Sequence, residues 1–263
     1  MMHIEVGQEP NLRQIAVIES EAPAGDLSLV WLGGYRSDMS GTKAVELESH
    51  AARRGLHCLR FDYSGHGASS GHYTDGTISQ WLEEALAVIT RFGRRRLILV
   101  GSSMGGWIAL RLAEILRENG TGRDLAGMVL IAPAPDFTAA LIEPNLTDRE
   151  RQSLADNGYF EEPSEYSNEP NRFTRALIED GRKNLTMTGL IEPGCPVHIL
   201  QGMADPDVPF QHALKIMEKI VADDAILTLV RDGDHRLSRP QDIERILSAV
   251  DGIVTLAQSQ DTI

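Results

Sequence analysis

The chain has 263 residues, is 42% hydrophobic and carries a formal net charge of −13 at neutral pH. That length and apolar share suit one large α/β domain with at most an insertion, and exclude a small scaffold that depends on cross-links. The acidic balance repels phosphate backbones and anionic lipid, so neither nucleic acid nor a membrane is the expected partner, and the charge otherwise serves solubility.

In chain order, Ile15–Ile18, Leu27–Leu32, Cys58–Phe61, Leu97–Val100, Met128–Ile131, Val197–Leu200 and Ile226–Val230 read as strands. Most are short, apolar and followed by Gly, Asp or Pro, as strands buried on both faces of a parallel sheet are. Helical patterns lie between them. Thr77-Ile78-Ser79-Gln80 has the form of a capping box, and Ile78, Leu82, Ala85 and Ile89 follow at helical spacing. Ile108, Leu112 and Ile115 repeat that spacing, Pro209 opens a helix with Leu214, Met217 and Val221 on one face, and Pro240 opens a last one with Ile243, Leu247 and Val250. The alternation breaks once. From Asp136 to Gly194 the chain is polar and shows no strand pattern, only helical pieces at Thr147–Asp156 and Asn171–Lys183, with caps expected at Thr147 and Asn171. The expected organisation is therefore an α/β core of residues 1–135 and 195–263 with a helical lid or cap at 136–194, over the C-terminal edge of the sheet, where it would shape a pocket. The bland alternative is an insertion of structural value only.

The two cysteines, Cys58 and Cys195, are far apart, which is a reducing-compartment pattern rather than a disulfide framework. Cys58 falls inside an apolar strand pattern and reads as a buried small residue. No basic start leads into an apolar segment, and no apolar run approaches the roughly 18 residues of a membrane span, so the expected location is cytoplasmic.

The most specific local signal is Leu99-Val100-Gly101-Ser102-Ser103-Met104-Gly105-Gly106. Gly101, Ser103 and Gly105 match the G-x-S-x-G nucleophile elbow, a strained strand-to-helix turn in which a Cβ at either glycine would crowd its neighbours. Ser102 and Ser238 are serine alternatives, but neither centres an elbow. A serine nucleophile needs a base, an orienting acid and an oxyanion site. Of the eight histidines, only His235 follows a terminal strand and precedes a terminal helix. His3, His50 and His212 read as surface residues, and His57 and His198 as strand residues. His66 and His72 sit in a Gly/Ser-rich loop that could approach the site, without the carboxylate or cysteine spacing of a metal centre. The acid should follow Val197–Leu200, where Asp205 and Asp207 compete. Asp205 is favoured because it comes earlier in the turn, and Asp207 is then expected to cap the helix after Pro209. The order Ser103, Asp205, His235 is that of an α/β-hydrolase triad. The oxyanion donors should be the backbone N–H of Met104 and that of Tyr35, in the loop Leu32-Gly33-Gly34-Tyr35-Arg36.

Over nearly its whole length the chain resembles the α/β-hydrolases, and more closely the mitochondrial palmitoyl-protein thioesterases that also act as mycophenolic acid acyl-glucuronide esterases. The stretches that carry this likeness are Gly34-Tyr35, Gly41-Thr42-Lys43-Ala44, Arg60-Phe61-Asp62-Tyr63-Ser64-Gly65, Val100-Gly101-Ser102-Ser103, Gly105-Gly106-Trp107, Gly202-Met203, Val208-Pro209 and Asp234-His235-Arg236. Pro163-Ser164, Tyr166-Ser167 and Cys195-Pro196 extend it into and past the insertion. The resemblance implies a nucleophile at Ser103, an acid at Asp205, a base at His235 and hydrolysis of acyl esters or thioesters. It implies no metal or organic cofactor, and a small acyl ester or an acylated protein as substrate. The animal enzymes open on an organelle-targeting segment not found here, so a bacterial relative is expected. Arg36, Asp38 and His66 depart from the pattern. Arg36 and Asp38 follow the oxyanion loop and could touch substrate, Arg36 by binding a carboxylate such as an acyl glucuronide offers; the alternative is a solvent-facing arginine. Rival readings are a serine peptidase, for which the propeller domain of the prolyl-oligopeptidase type is missing, a carbon–carbon bond hydrolase, and a noncatalytic ligand receptor on the same scaffold.

Overall fold

The computed structural model describes residues 1–20, 25–118, 123–164 and 169–259. Tyr166 and Ser167, part of the resemblance above, lie outside them. The sheet has eight strands: β1 (Met2–Val6), β2 (Arg13–Glu19), β3 (Leu27–Leu32), β4 (His57–Phe61), β5 (Arg96–Ser102), β6 (Asp124–Ile131), β9 (Val197–Gly202) and β10 (Ala225–Val230), in the spatial order β1-β2-β4-β3-β5-β6-β9-β10. β1 and β2 pair antiparallel, as do β2 and β4, and every pairing from β4 through to β10 is parallel.

Strand residues alternate between two cores. Val30, Leu32, Leu97 and Leu99 pack with α2 (Ile78–Phe92) and α3 (Met104–Glu118), while Leu29, Trp31, Ile98 and Val100 pack with α1 (Thr42–Arg54) and α7 (Pro240–Ser259). This two-residue period, with both sets buried, is why the central strands read as continuous apolar runs. Among the described residues no helix is long and apolar enough to cross a membrane.

Several local expectations need correction. β1 carries only Ile4 and Val6 inward, too little apolar periodicity to show in the sequence. The Thr77 hydroxyl caps α2 by accepting from Gln80 N, but the Gln80 amide donates to Ser64 Oγ, so only half of the expected box forms. In α6 (Phe210–Lys219) the buried face is His212, Ala213 and Ile216; Leu214 is exposed and Val221 lies beyond the helix end. His212, expected at the surface, is buried and donates through Nε2 to Pro135 O at 2.9 Å.

The segment between β6 and β9 holds α4 (Asp148–Asn157), capped by Thr147 with the full capping box, and α5 (Arg175–Gly181). Contrary to the strandless expectation it also contains an antiparallel hairpin, β7 (Tyr159–Glu162) with β8 (Asn171–Thr174). Asn171 therefore lies in a strand, and the cap of α5 is Thr174, whose hydroxyl accepts from Leu177 N. One buried phenylalanine per strand, Phe160 and Phe173, is all the hydrophobic signal the hairpin offers. The segment is tied down by Asp136, whose carboxylate accepts from Thr186 N and Met187 N, both at 2.8 Å, and by Trp107 Nε1, which donates to Asn184 O at 2.9 Å.

Candidate active site

β5 delivers Ser103 onto the first turn of α3 with φ of 54°, the left-handed region that a non-glycine residue enters only when its surroundings hold it there. Ser103 N donates to Ile131 O at 2.9 Å, and Ser103 O accepts from Gly106 N and Ala134 N, so the strained residue is held on both sides. The flanking glycines are needed for space: a Cβ at Gly101 would lie 2.4 Å from Gly105 O, and one at Gly105 would lie 2.0 Å from Leu32 O.

The ends of β9 and β10 bring two more groups to this point. His235 Nε2 lies 3.0 Å from Ser103 Oγ, and its Nδ1 lies 2.8 Å from Asp205 Oδ2. A carboxylate oxygen only accepts, so Nδ1 carries the proton and Nε2 presents a lone pair to the Ser103 hydroxyl. Asp205 is buried and its orientation is fully specified. Oδ1 accepts from Asp207 N (2.9 Å) and Val208 N (2.8 Å), and Oδ2 accepts from Gln201 Nε2 (2.9 Å) as well as from His235. Gln201 was not singled out by sequence reasoning. The available signal was a polar residue inside an apolar strand, four positions before the acid.

Of the two competing carboxylates it is thus Asp205 that meets His235. Asp207 does not cap α6 as expected, because Pro209 holds the N-cap position and no side chain caps the helix; Asp207 lines the cavity instead. Asp205, Asp207 and His235 offer possible metal-ligand atoms within 4.8 Å of one another. The Asp205 oxygens already accept four N–H groups and His235 is committed to Asp205 and Ser103, so the set fits a hydrogen-bond relay better than an ion site. Ser102 ends β5, and the Ser238 hydroxyl donates to Arg236 O at 3.0 Å; His235 addresses neither.

The loop after β3 passes against the elbow. A Cβ at Gly34 would lie 3.3 Å from Ser103 Cβ, which brings the Gly34–Tyr35 peptide beside the serine, while Met104 starts α3 directly after it. Arg36 has φ of 57°, and its N–H donates to His66 Nε2 at 3.0 Å. Its guanidinium reaches Glu169 O, Pro170 O and Asn171 Oδ1 at 2.8–3.2 Å and lies over the Tyr73 ring. Tyr35 donates its hydroxyl to Arg172 O at 2.6 Å and stacks on Phe173. Arg36 lines the cavity, and its Nη1 is engaged by Glu169 O, Pro170 O and Asn171 Oδ1. Of the His66 and His72 pair only His66 approaches the site; His72 caps a short turn through Thr74.

Ser103 and His235 open into a cavity of about 690 Å³. Its lining includes the apolar Met104, Phe137, Leu141, Ile142, Phe173 and Val208 and the polar Arg36, Asp38, Thr42, Lys43 and Arg236. Lys43, in the first turn of α1, donates to Arg236 O in the loop that carries His235. Burial, reinforced by the Arg236 charge and opposed by Asp234, pushes the Lys43 ammonium down to about 8.

The family model described as Alpha/beta hydrolase family matches residues 24–246. The chain belongs to the α/β hydrolase family. It is 30% identical over 227 residues to the mitochondrial palmitoyl-protein thioesterase ABHD10 of Mus musculus, covering 86% of this chain and 74% of that protein. The solved structure of mouse α/β hydrolase domain-containing protein 10 superposes with a TM-score of 0.84 at 27% identity, covering 97% of this chain and 99% of that one. A putative hydrolase from Agrobacterium vitis S4 is nearer in sequence, at 64% identity and a TM-score of 0.93 over 96% of this chain and 97% of that one. Est1E from Butyrivibrio proteoclasticus, solved with ferulic acid, has a TM-score of 0.77 at 17% identity over 97% of this chain and 99% of that one, a likeness of fold alone.

Proposed function

We propose that this α/β hydrolase cleaves carboxylic ester or thioester bonds of acyl substrates through an acyl-enzyme on Ser103. The observation that carries the reading is the continuous relay from Asp205 through His235 to Ser103, at 2.8 and 3.0 Å, opening into the cavity. Ser103 Oγ attacks the acyl carbon while His235 Nε2 takes its proton. Asp205 holds the imidazole in that tautomer and stabilises its charged form. The backbone N–H groups of Tyr35 and Met104 are assigned to the developing oxyanion, a contribution of about 2.7–4 kcal/mol for one such donor. His235 then returns its proton to the departing thiolate or alkoxide, activates water, and the acid is released. Phe137, Leu141 and Ile142 in the lining suit the acyl group, and Lys43 and Arg236 suit the leaving group. Residues 136–194 are assigned as the cap over the pocket. The likeness to a palmitoyl-protein thioesterase favours thioesters of acylated proteins as substrates, with small acyl esters as the alternative.

Ser103→Ala tests the reading. Turnover of a p-nitrophenyl ester should fall by several powers of ten with the melting transition retained, because a triad acts as a unit; full activity would remove Ser103 from the mechanism. A fluorophosphonate probe should label the unsubstituted protein, whereas tight ligand binding without labelling would mark a noncatalytic receptor. Rates on acyl-CoA, acyl-peptide thioester and acyl glucuronide then rank the substrate classes.

A further inference from the structure

We propose that His66 is a positioning residue for the oxyanion loop, acting through the backbone N–H of Arg36. The inference rests on the Ser103 reading just given, and on Tyr35 N–H as an oxyanion donor. His66 lies in the loop after β4, is nearly inaccessible and does not reach the cavity wall. Its Nδ1 is 3.0 Å from Ser64 O, which only accepts, so Nδ1 bears the proton. Its Nε2 is 3.0 Å from Arg36 N, which only donates, so Nε2 is a bare lone pair. The two contacts select one neutral tautomer, and an imidazolium would set N–H against N–H. Burial pushes His66 below the ordinary histidine range, which favours the neutral ring; of the charges facing it from the oxyanion loop, Asp38 acts against burial and Arg36 with it. The other neighbours are edge-on rings from three elements, Tyr35 at 6.4 Å, Tyr63 at 6.0 Å and Trp81 at 5.4 Å, which fix the imidazole plane.

The held group matters because of where it sits. Arg36 occupies the left-handed region without being glycine, so its backbone relaxes unless it is restrained. Its N–H belongs to the peptide directly after Tyr35. Fixing that peptide fixes the rotation of Tyr35 about its own backbone bonds, and with it the direction of the Tyr35 N–H. The hairpin grips the same two residues only through side chains. Among the described contacts, His66 is the side chain that grips the backbone.

The test compares His66→Phe, which keeps a ring but has no acceptor, with His66→Gln, whose amide oxygen can take the place of Nε2. In the full chain, on a p-nitrophenyl ester, the Phe variant should lose about 10- to 100-fold in kcat with KM within about twofold, as misdirection of one oxyanion donor predicts. The Gln variant should recover to within about threefold of the unsubstituted kcat. A folded Phe variant with undiminished kcat, or equal losses in both variants, overturns the proposal. Histidine ¹⁵N spectra of the unsubstituted protein provide a check that needs no variant: His66 Nε2 must appear unprotonated and accepting, and a proton there overturns the proposal. If Ser103→Ala keeps its activity, the functional reading itself fails. If Ser103→Ala is inactive while His66→Phe is not, only the His66 inference falls.

Discussion

The two sides of the candidate site, the relay and the loop after β3 with its hairpin, are built by different means. On one side, Ser103, Asp205 and His235 follow the ends of β5, β9 and β10: Ser103 is held by backbone bonds through Ile131 O, Gly106 N and Ala134 N, the buried Asp205 carboxylate by Asp207 N, Val208 N and the Gln201 amide, and His235 by Asp205. On the other, the oxyanion loop and the β7–β8 hairpin hold each other through side chains, by Tyr35 on Arg172 and Phe173 and by Arg36 on Pro170 and Asn171. The backbone ties at Ser103 survive any change of side chain away from the elbow, whereas each tie between the loop after β3 and the hairpin can be removed by one substitution. The relay should therefore respond alike to every substrate, and the hairpin side should respond according to what the acyl group touches.

The largest expected effect lies on the relay. Asp205→Asn keeps an oxygen for Asp207 N and Val208 N but turns an amide N–H toward Gln201 Nε2 and His235 Nδ1, both donors. The imidazole then has to bare Nδ1 and protonate Nε2, facing Ser103 with the wrong group. A fall of roughly 10³–10⁴ in kcat follows from the loss of the useful tautomer. Measured on acetyl and on long-chain p-nitrophenyl esters, the factor should be the same; a loss that depends on chain length would mean the relay side also selects substrate.

The middle effect lies on the hairpin side. Arg36→Met keeps a long apolar stem and removes the donors to Glu169 O, Pro170 O and Asn171 Oδ1. The hairpin edge then loses its strongest tie to the oxyanion loop. We expect about a tenfold drop in kcat/KM, or ~1.4 kcal/mol, on long acyl esters and clearly less on acetyl esters. Equal drops at both lengths would dissolve the contrast between the two sides.

The same contrast explains what the sequence disclosed. The elbow is legible because its strain is local: glycines two residues either side of Ser103 answer contacts with Leu32 and Gly105 that any such turn creates. Asp205 and His235 are legible because both follow strands whose apolar runs mark where loops must begin, β9 buried and β10 a part-exposed edge. The α/β-hydrolase order of elements follows from those runs. The hairpin is not legible, since each strand buries one residue, and neither is its grip on Tyr35, which joins residues 137 positions apart. The buried His212 was misplaced for a related reason: helical periodicity in α6 carries no word of Pro135 O, which the chain brings over it from 77 positions away. His66 could be placed near the site from its Gly/Ser-rich loop, but the direction of its two nitrogens depends on the left-handed turn at Arg36, which no residue type there announces.

The smallest effect gives the sharpest test of how the two sides are joined. Tyr35→Phe removes one hydrogen bond, that to Arg172 O, while the ring keeps its stack on Phe173 and its edge contacts with Tyr73 and Trp81. The Tyr35 backbone and its proposed oxyanion N–H are unaltered, and the grip of His66 on Arg36 N remains. A neutral hydrogen bond contributes about 1 kcal/mol net. The expected result is a kcat on acetyl esters within about twofold of the unsubstituted protein, with KM for long acyl esters raised roughly three- to fivefold as the hairpin loosens over the acyl side. A kcat loss of tenfold or more on the acetyl ester would show that the hydroxyl, and not the backbone tie at His66, sets the loop after β3, and the division between the relay and the hairpin side would have to be redrawn at Tyr35.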